Sequence, residues 1–182
     1  KESFNVKINL LGTHNLQNVL AACACCYSLG IPVHAIKIGI EEIKPFPGRL
    51  EAISAVKGAT VIDDSYNANP SSMKEAIDVL LLMKGTRILV IGDMAELGDD
   101  TNKYHQELGD YIQASKIDFT LAIGRHTKLT MQQLGKKEFW FDSKDALVSK
   151  LLKVMDSKST VLVKGSRFMK MEDIVNKLKV EK

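Results

Sequence analysis

Residues 88–124 read ILVIGDMAELGDDTNKYHQELGDYIQASKIDFTLAIG. Two short apolar runs, Ile88–Ile91 and Phe119–Ile123, bracket an amphipathic segment, Asp100–Ser115, at helical spacing. Continuous rather than alternating apolar strands, joined by a helix, predict a parallel sheet covered on both faces. The alternation continues outward: Arg125–Leu134 as helix, Glu138–Phe141 as strand, Ser143–Met155 as helix, Thr160–Val163 as strand and Met169–Leu178 as helix. Upstream, Asn69-Pro70 opens a helix, because Asn caps well and Pro is tolerated at the first helical position. Met73, Ile77, Leu80 and Leu81 form its apolar stripe, and Gly85 closes it. Arg49–Val56 and Ala59–Asp63 read as two strands joined by a Lys57-Gly58 hairpin turn. The expected fold is therefore α/β, a doubly wound, mostly parallel sheet with a leading hairpin.

Before the hairpin the pattern changes. Phe4–Leu10 alternates apolar and polar residues and predicts a strand. Gly12-Thr13-His14-Asn15 breaks it, a helix follows through Leu16, Val19 and Leu20 to Leu29, stopped by Gly30 and Pro32, and residues 33–43 predict a second, shorter one. Lys44-Pro45-Phe46-Pro47-Gly48 is the best linker, so the boundary is drawn between 1–44 and 45–182. The chain starts at Lys1 within a strand-like run, and is expected to be a piece of something longer.

Composition narrows the function. Hydrophobic residues at 45% and charged residues at 26% describe an ordinary globular chain, not a disordered one. No apolar run approaches the roughly 20 residues needed to span a bilayer, so no membrane insertion is expected. A net charge of +3 is too small for a dedicated nucleic-acid binder. Three cysteines within four residues, Cys23, Cys25 and Cys26, cannot frame disulfides, and no leader is read, so a cytoplasmic setting is expected. On their Ala-rich helix, Cys23 and Cys26 read as small hydrophobes rather than metal ligands, and no metal site is expected within the chain. His34 and His126 read as solvated; for His105, on the helix after Asp100, a surface position is expected, with the strand-end rim as the alternative.

Ligands of such sheets bind past the carboxyl ends of the strands. There the sequence sets Asp63-Asp64-Ser65-Tyr66-Asn67, Gly92-Asp93-Met94, Gly124-Arg125-His126, Asp142-Ser143 and Lys164-Gly165-Ser166-Arg167. That mixture of acid, amide, hydroxyl and cation suits a polar, partly anionic ligand. Neither a P-loop nor a G-x-G-x-x-G fingerprint occurs. Asp63-Asp64, Asp93 and Lys164 imitate a phosphoreceiver set, but one helix alone separates Asp64 from the strand bearing Asp93. A stand-alone nucleotide-binding or receiver-like module is the alternative reading.

Five motifs in order carry a resemblance. They are Gly12-Thr13-His14-Asn15-Leu16-Gln17-Asn18, Pro47-Gly48-Arg49-Leu50-Glu51, Asp64-Ser65-Tyr66-Asn67-Ala68-Asn69-Pro70, Gly92-Asp93-Met94-Ala95-Glu96-Leu97-Gly98 and Lys164-Gly165-Ser166-Arg167-Phe168-Met169. Together they resemble the C-terminal part of the Mur ligases, and the last three resemble the branch that adds D-alanyl-D-alanine to a UDP-N-acetylmuramoyl-tripeptide. The resemblance implies that 1–44 is the tail of a central ATPase domain and 45–182 a complete Rossmann-like third domain. It implies an ATP-dependent amide-bond-forming ligase of peptidoglycan synthesis, using Mg²⁺ held mainly outside this chain and acting as a monomer. In this chemistry a carboxylate takes the γ-phosphate of ATP, and an amine displaces phosphate from the acyl phosphate. Lacking a P-loop, the chain alone is expected to be inactive. By the same resemblance Asn15 and Asn18 look like adenine-side residues, Arg49 like the catalytic arginine on the ATP phosphates, and Asp64 like the ribose-holding acid. Tyr66, Asn67, Asn69, Lys164, Ser166 and Arg167 are candidates for the D-alanyl-D-alanine pocket.

Overall fold

The computed structural model describes residues 3–135 and 138–180, which divide into two compact units, Lys1–Phe46 and Pro47–Lys182. In the first, α1 (Thr13–Ser28) and α2 (Val33–Glu41) pack around Val19, Ile36 and Ile40. α1 ends as the Gly30 signal predicts: Gly30 takes φ 78°, its N–H reaches the Tyr27 carbonyl, and the Ile31 N–H reaches that of Cys26. Cys23 and Cys26 pack against the small core, whereas Cys25 is exposed.

The strand expected over Phe4–Leu10 does not form. Its periodicity is nevertheless used, since Val6 and Ile8 turn onto the two helices while Lys7 between them faces out. Alternation reports which side is buried, but a strand also needs a neighbour for its backbone, and none lies beside it among the described residues of this unit. Instead the Lys7 N–H donates to a Glu41 carboxylate oxygen and Asn9 Nδ2 to the Glu41 carbonyl.

The second unit is a six-stranded sheet in the order β1-β2-β6-β3-β4-β5. Its strands are β1 (Glu51–Ser54), β2 (Thr60–Asp64), β3 (Thr86–Ile91), β4 (Phe119–Ile123), β5 (Glu138–Phe141) and β6 (Ser159–Lys164). β1 and β2 form the antiparallel hairpin, and Lys57 and Gly58 at its turn both take positive φ. Every other pairing is parallel. All six residues of β6, and Ile88–Ile91 of β3, are buried, as strands covered on both faces must be. The helices are α3 (Pro70–Leu81), α4 (Thr101–Ala114), α5 (Thr127–Met131), α6 (Lys144–Val154) and α7 (Glu172–Leu178). α6 and α7 cover one face over Val61, Ile88, Val90, Leu121, Val161 and Val163. α3, α4 and α5 pack together on the other. Among the described residues no helix is long and apolar enough to cross a membrane.

Local chemistry explains the helix ends. Asn69 caps α3: its Oδ1 accepts from the Ser72 N–H at 2.8 Å, and Ser72 Oγ accepts from the Asn69 N–H at 3.1 Å. α7 begins at Glu172, three residues later than expected, because the short turn Arg167–Met169 ends on Lys170 in the left-handed region. A helix cannot propagate through that conformation. The parallel strands all end at one edge, so Asp64, Lys164, Asp93 and Gly124 meet there.

Candidate functional site at the carboxyl edge of the sheet

β2 and β6 are neighbours with Asp64 opposite Lys164, so register alone sets these two side chains together. Lys164 Nζ lies 2.6 Å from Asp64 Oδ2 and donates to the Asn67 carbonyl at 2.8 Å. The Lys164 side chain is only 3% exposed. Burial pushes the Lys164 ammonium down and the Asp64 carboxyl up, and each is opposed by the charge of the other. The second Asp64 oxygen accepts from the Leu50 N–H at 3.2 Å. Leu50 itself is buried at φ 51°, a left-handed conformation that costs a leucine of the order of 1–2 kcal/mol. Lys164, a candidate for the dipeptide carboxylate, pairs here with Asp64 and with the loop after β2.

Arg49 and Tyr66 meet beside this pair. The Arg49 guanidinium carbon sits 4.3 Å from the centre of the Tyr66 ring, and that of Arg167 sits 5.9 Å from it. The Tyr66 N–H donates to the Gly48 carbonyl, and a side chain at residue 48 (φ 75°) would press on the Tyr66 backbone. Arg167 is largely exposed and pairs with Glu172 at 2.9 Å. Cations held over an aromatic face keep their outer N–H groups available to an anion. Ser166 is buried, and among the described residues its hydroxyl has no hydrogen-bond partner.

The other candidates are less free. Asn69 spends its side chain on the cap and on Ser71 Oγ, and Asn67 Oδ1 accepts from the Ala68 N–H. In the first unit, Asn15 Nδ2 donates to the Leu11 carbonyl at 2.7 Å, tying down the entry to α1, and Asn18 Nδ2 donates to Asn15 Oδ1. The structure thus brings Arg49, Asp64, Tyr66, Asn67, Lys164 and Arg167 into one cluster. Asn15 and Asn18 stand together on α1.

Asp93 anchors a second part of the edge. Its buried carboxylate accepts three backbone N–H groups, from Arg125 at 2.8 Å, His126 at 3.0 Å and Thr127 at 2.8 Å. Its own carbonyl accepts from the Ser166 N–H at 2.9 Å, so the loops after β3, β4 and β6 are tied to one residue. Gly124 must be glycine: it has φ 129°, and a Cβ there would overlap the Asp93 carboxylate. These bonds also shorten α5, which was expected from Arg125, because residues 125 and 126 form its entry turn.

His105 is wholly buried, contrary to the surface position expected for it. Its Nε2 accepts from the Met94 N–H at 3.1 Å, which puts the ring proton on Nδ1, donated to the Thr101 carbonyl at 2.8 Å. Burial holds its pKa below the usual imidazole range. The His126 ring lies 5.5 Å away, half-buried rather than solvated. A cavity of about 300 Å³ opens between Met94, Glu96, Thr101, Arg125, His126 and Phe168. Sequence reasoning placed Arg125 and His126 on the rim without giving them a role. The available signal was Glu96 in the loop of Asp93, an acid after one strand end, and Arg125 and His126 after the next.

Comparisons with known proteins show the family of this fold. Residues 48–167 match the family described as Mur ligase, glutamate ligase domain. The UDP-N-acetylmuramoyl-tripeptide–D-alanyl-D-alanine ligase of Escherichia coli K12 is 42% identical over 178 residues, covering 97% of this chain and 39% of that protein. MurF from Acinetobacter baumannii superposes with a TM-score of 0.86 at 32% identity, over 94% of this chain and 38% of that one. MurF from Thermotoga maritima, solved in complex with ADP, gives 0.82 at 26% identity, over 95% and 40%. The chain therefore spans about two fifths of the proteins it matches. With the hairpin-led parallel sheet and the family match running from Gly48 to Arg167, the chain belongs to the Mur ligase family.

Proposed function

We propose that this chain is the C-terminal part of an ATP-dependent ligase that joins D-alanyl-D-alanine to a UDP-N-acetylmuramoyl-tripeptide in peptidoglycan synthesis. The observation that carries the reading is the 42% identity to a ligase of that name across 97% of the chain. On this reading residues 1–44 are the tail of the central ATPase domain and 45–182 are the third domain.

On this reading the work divides among the strand-end residues and α1. Both steps of such a reaction, phosphoryl transfer to a carboxylate and displacement of phosphate by an amine, gather negative charge in the transition state. Arg49, braced on Tyr66, is the cation for the ATP phosphates. Asp64 retains free lone pairs beside its two internal bonds and serves the ribose hydroxyls. By the family resemblance Asn15 and Asn18 are the adenine-side residues, amides being able both to donate and to accept. Arg167, Tyr66 and Asn67 serve the dipeptide, with the buried, unpartnered Ser166 hydroxyl beneath them and Asn69 setting the helix that follows. The neighbouring cavity is lined by both Glu96 and Arg125, opposite charges that suit the two ends of a zwitterionic dipeptide. Among the described residues no group of three or more His, Cys, Asp or Glu could hold a metal, so no step is assigned to Mg²⁺ here. The receiver alternative is disfavoured because both Asp93 oxygens are occupied by backbone N–H groups and β6 lies between β2 and β3.

Phosphate release tests the reading. The chain alone, incubated with ATP, the UDP-linked tripeptide and D-alanyl-D-alanine, is expected to release none, because it contains no P-loop. Sustained release by the purified chain would overturn the proposal in favour of a self-contained enzyme.

A further inference from the structure

Lys164 is the most deeply buried cation of the cluster, and the dipeptide assignment leaves its geometry unexplained. Its ammonium contacts Asp64 Oδ2 and the Asn67 carbonyl, and its side chain is 3% exposed. Asp64 in turn holds the N–H of Leu50, and Leu50 is a buried leucine in the left-handed region directly after Arg49. A strained backbone conformation persists only where its surroundings over-determine it. Here the bond from the Leu50 N–H to Asp64 is such a restraint, and it depends on a carboxylate that Lys164 orients from the neighbouring strand.

We propose that Lys164 is a positioning residue for the nucleotide side of the site: it locks Asp64, which clamps Leu50 and thereby aims Arg49. The inference rests on the phosphate role given above to Arg49 and replaces the dipeptide role of Lys164. The relay is short. One ion pair and one hydrogen bond separate the Lys164 ammonium from the backbone that carries the Arg49 side chain. The bond to the Asn67 carbonyl fixes the loop bearing Tyr66 as well, on which the guanidinium rests. Loss of the Lys164 charge frees the carboxylate to rotate towards water, and Leu50 then has no reason to keep φ positive.

Two measurements on Lys164→Met test this. In this chain, hydrogen exchange of the Leu50 amide is expected to quicken tenfold or more, with the exchange of β3 and β4 amides unchanged. In the complete ligase, kcat is expected to fall tenfold or more, the KM for D-alanyl-D-alanine to stay within twofold, and the loss to be much less than multiplicative with that of Arg49→Ala. Should Lys164→Met not fold, Lys164→Gln makes the same test, since it keeps much of the side-chain length and a donor for the Asn67 carbonyl while removing the charge that orients Asp64. An unchanged Leu50 amide, or a rise confined to the KM for D-alanyl-D-alanine, overturns the proposal and leaves the phosphate role of Arg49 standing. A faster Leu50 amide combined with wild-type turnover in Arg49→Ala overturns the phosphate role itself, and this proposal with it.

Discussion

Replacing Arg49 by Ala in the complete ligase is expected to cut kcat by roughly a hundred- to a thousand-fold, the loss typical when one preorganised transition-state partner is removed. The side chain is exposed but not loose, since its guanidinium is braced 4.3 Å from the Tyr66 ring centre and its backbone is followed by the clamped Leu50. On the proposed reading, a cation already in position needs no reorganisation as charge builds on the transferring phosphoryl group, so its removal should weigh on the transition state more than on ground-state binding. The KM for ATP should therefore change less than kcat. Arg49→Lys should recover only part of the loss, because an ammonium cannot reproduce the planar fork that matches phosphate oxygens. Steady-state kinetics with ATP varied at saturating D-alanyl-D-alanine would check this. A KM effect alone would mean that Arg49 binds nucleotide without assisting the chemistry.

The second large effect concerns stability. Asp93→Ala should destabilise the second unit by about 3 kcal/mol, since each buried donor left without its partner costs roughly 1–3 kcal/mol. Three N–H groups lose their acceptor, and that of Thr127 is fully buried with its residue. Gly124, shaped to fit against the carboxylate, is left facing a void. Urea unfolding followed by circular dichroism would show a lower midpoint at unchanged slope, the mark of lost stability without a change in compactness. A shift equivalent to less than about 0.5 kcal/mol, the range of ordinary surface substitutions, would mean that water replaces the carboxylate and that Asp93 is not the anchor of this edge.

Much of the fold was legible because local signals and burial agree in it. Apolar runs such as Ile88–Ile91 can be satisfied only in the middle of a covered sheet, and Asn69-Pro70 and Gly30 mark helix ends by backbone chemistry that needs no tertiary context. The first strand failed for the opposite reason. Val6 and Ile8 reveal a buried side, but a strand is defined by its neighbour, which periodicity does not report. Lys164 and Asp64 were both recognised as strand-end residues, yet a hundred residues separate them and their pairing follows from β6 entering between β2 and β3. No local pattern carries that insertion. His105 was misjudged because a lone polar residue on an amphipathic helix usually faces water. Here the free N–H of Met94 and the Thr101 carbonyl give the ring both of its hydrogen bonds inside the protein.

The central claim, that this chain completes a ligase specific for a D-alanyl dipeptide, is tested most directly by identifying the product. The complete protein would be supplied with ATP, the UDP-linked muramoyl tripeptide and an equimolar mixture of D-alanyl-D-alanine, D-alanine, L-alanine and D-glutamate. Mass spectrometry of the nucleotide-linked product is expected to show the tripeptide extended by the dipeptide alone, with one phosphate released per product. Extension by a single amino acid, or phosphate release without any new amide bond, would contradict it.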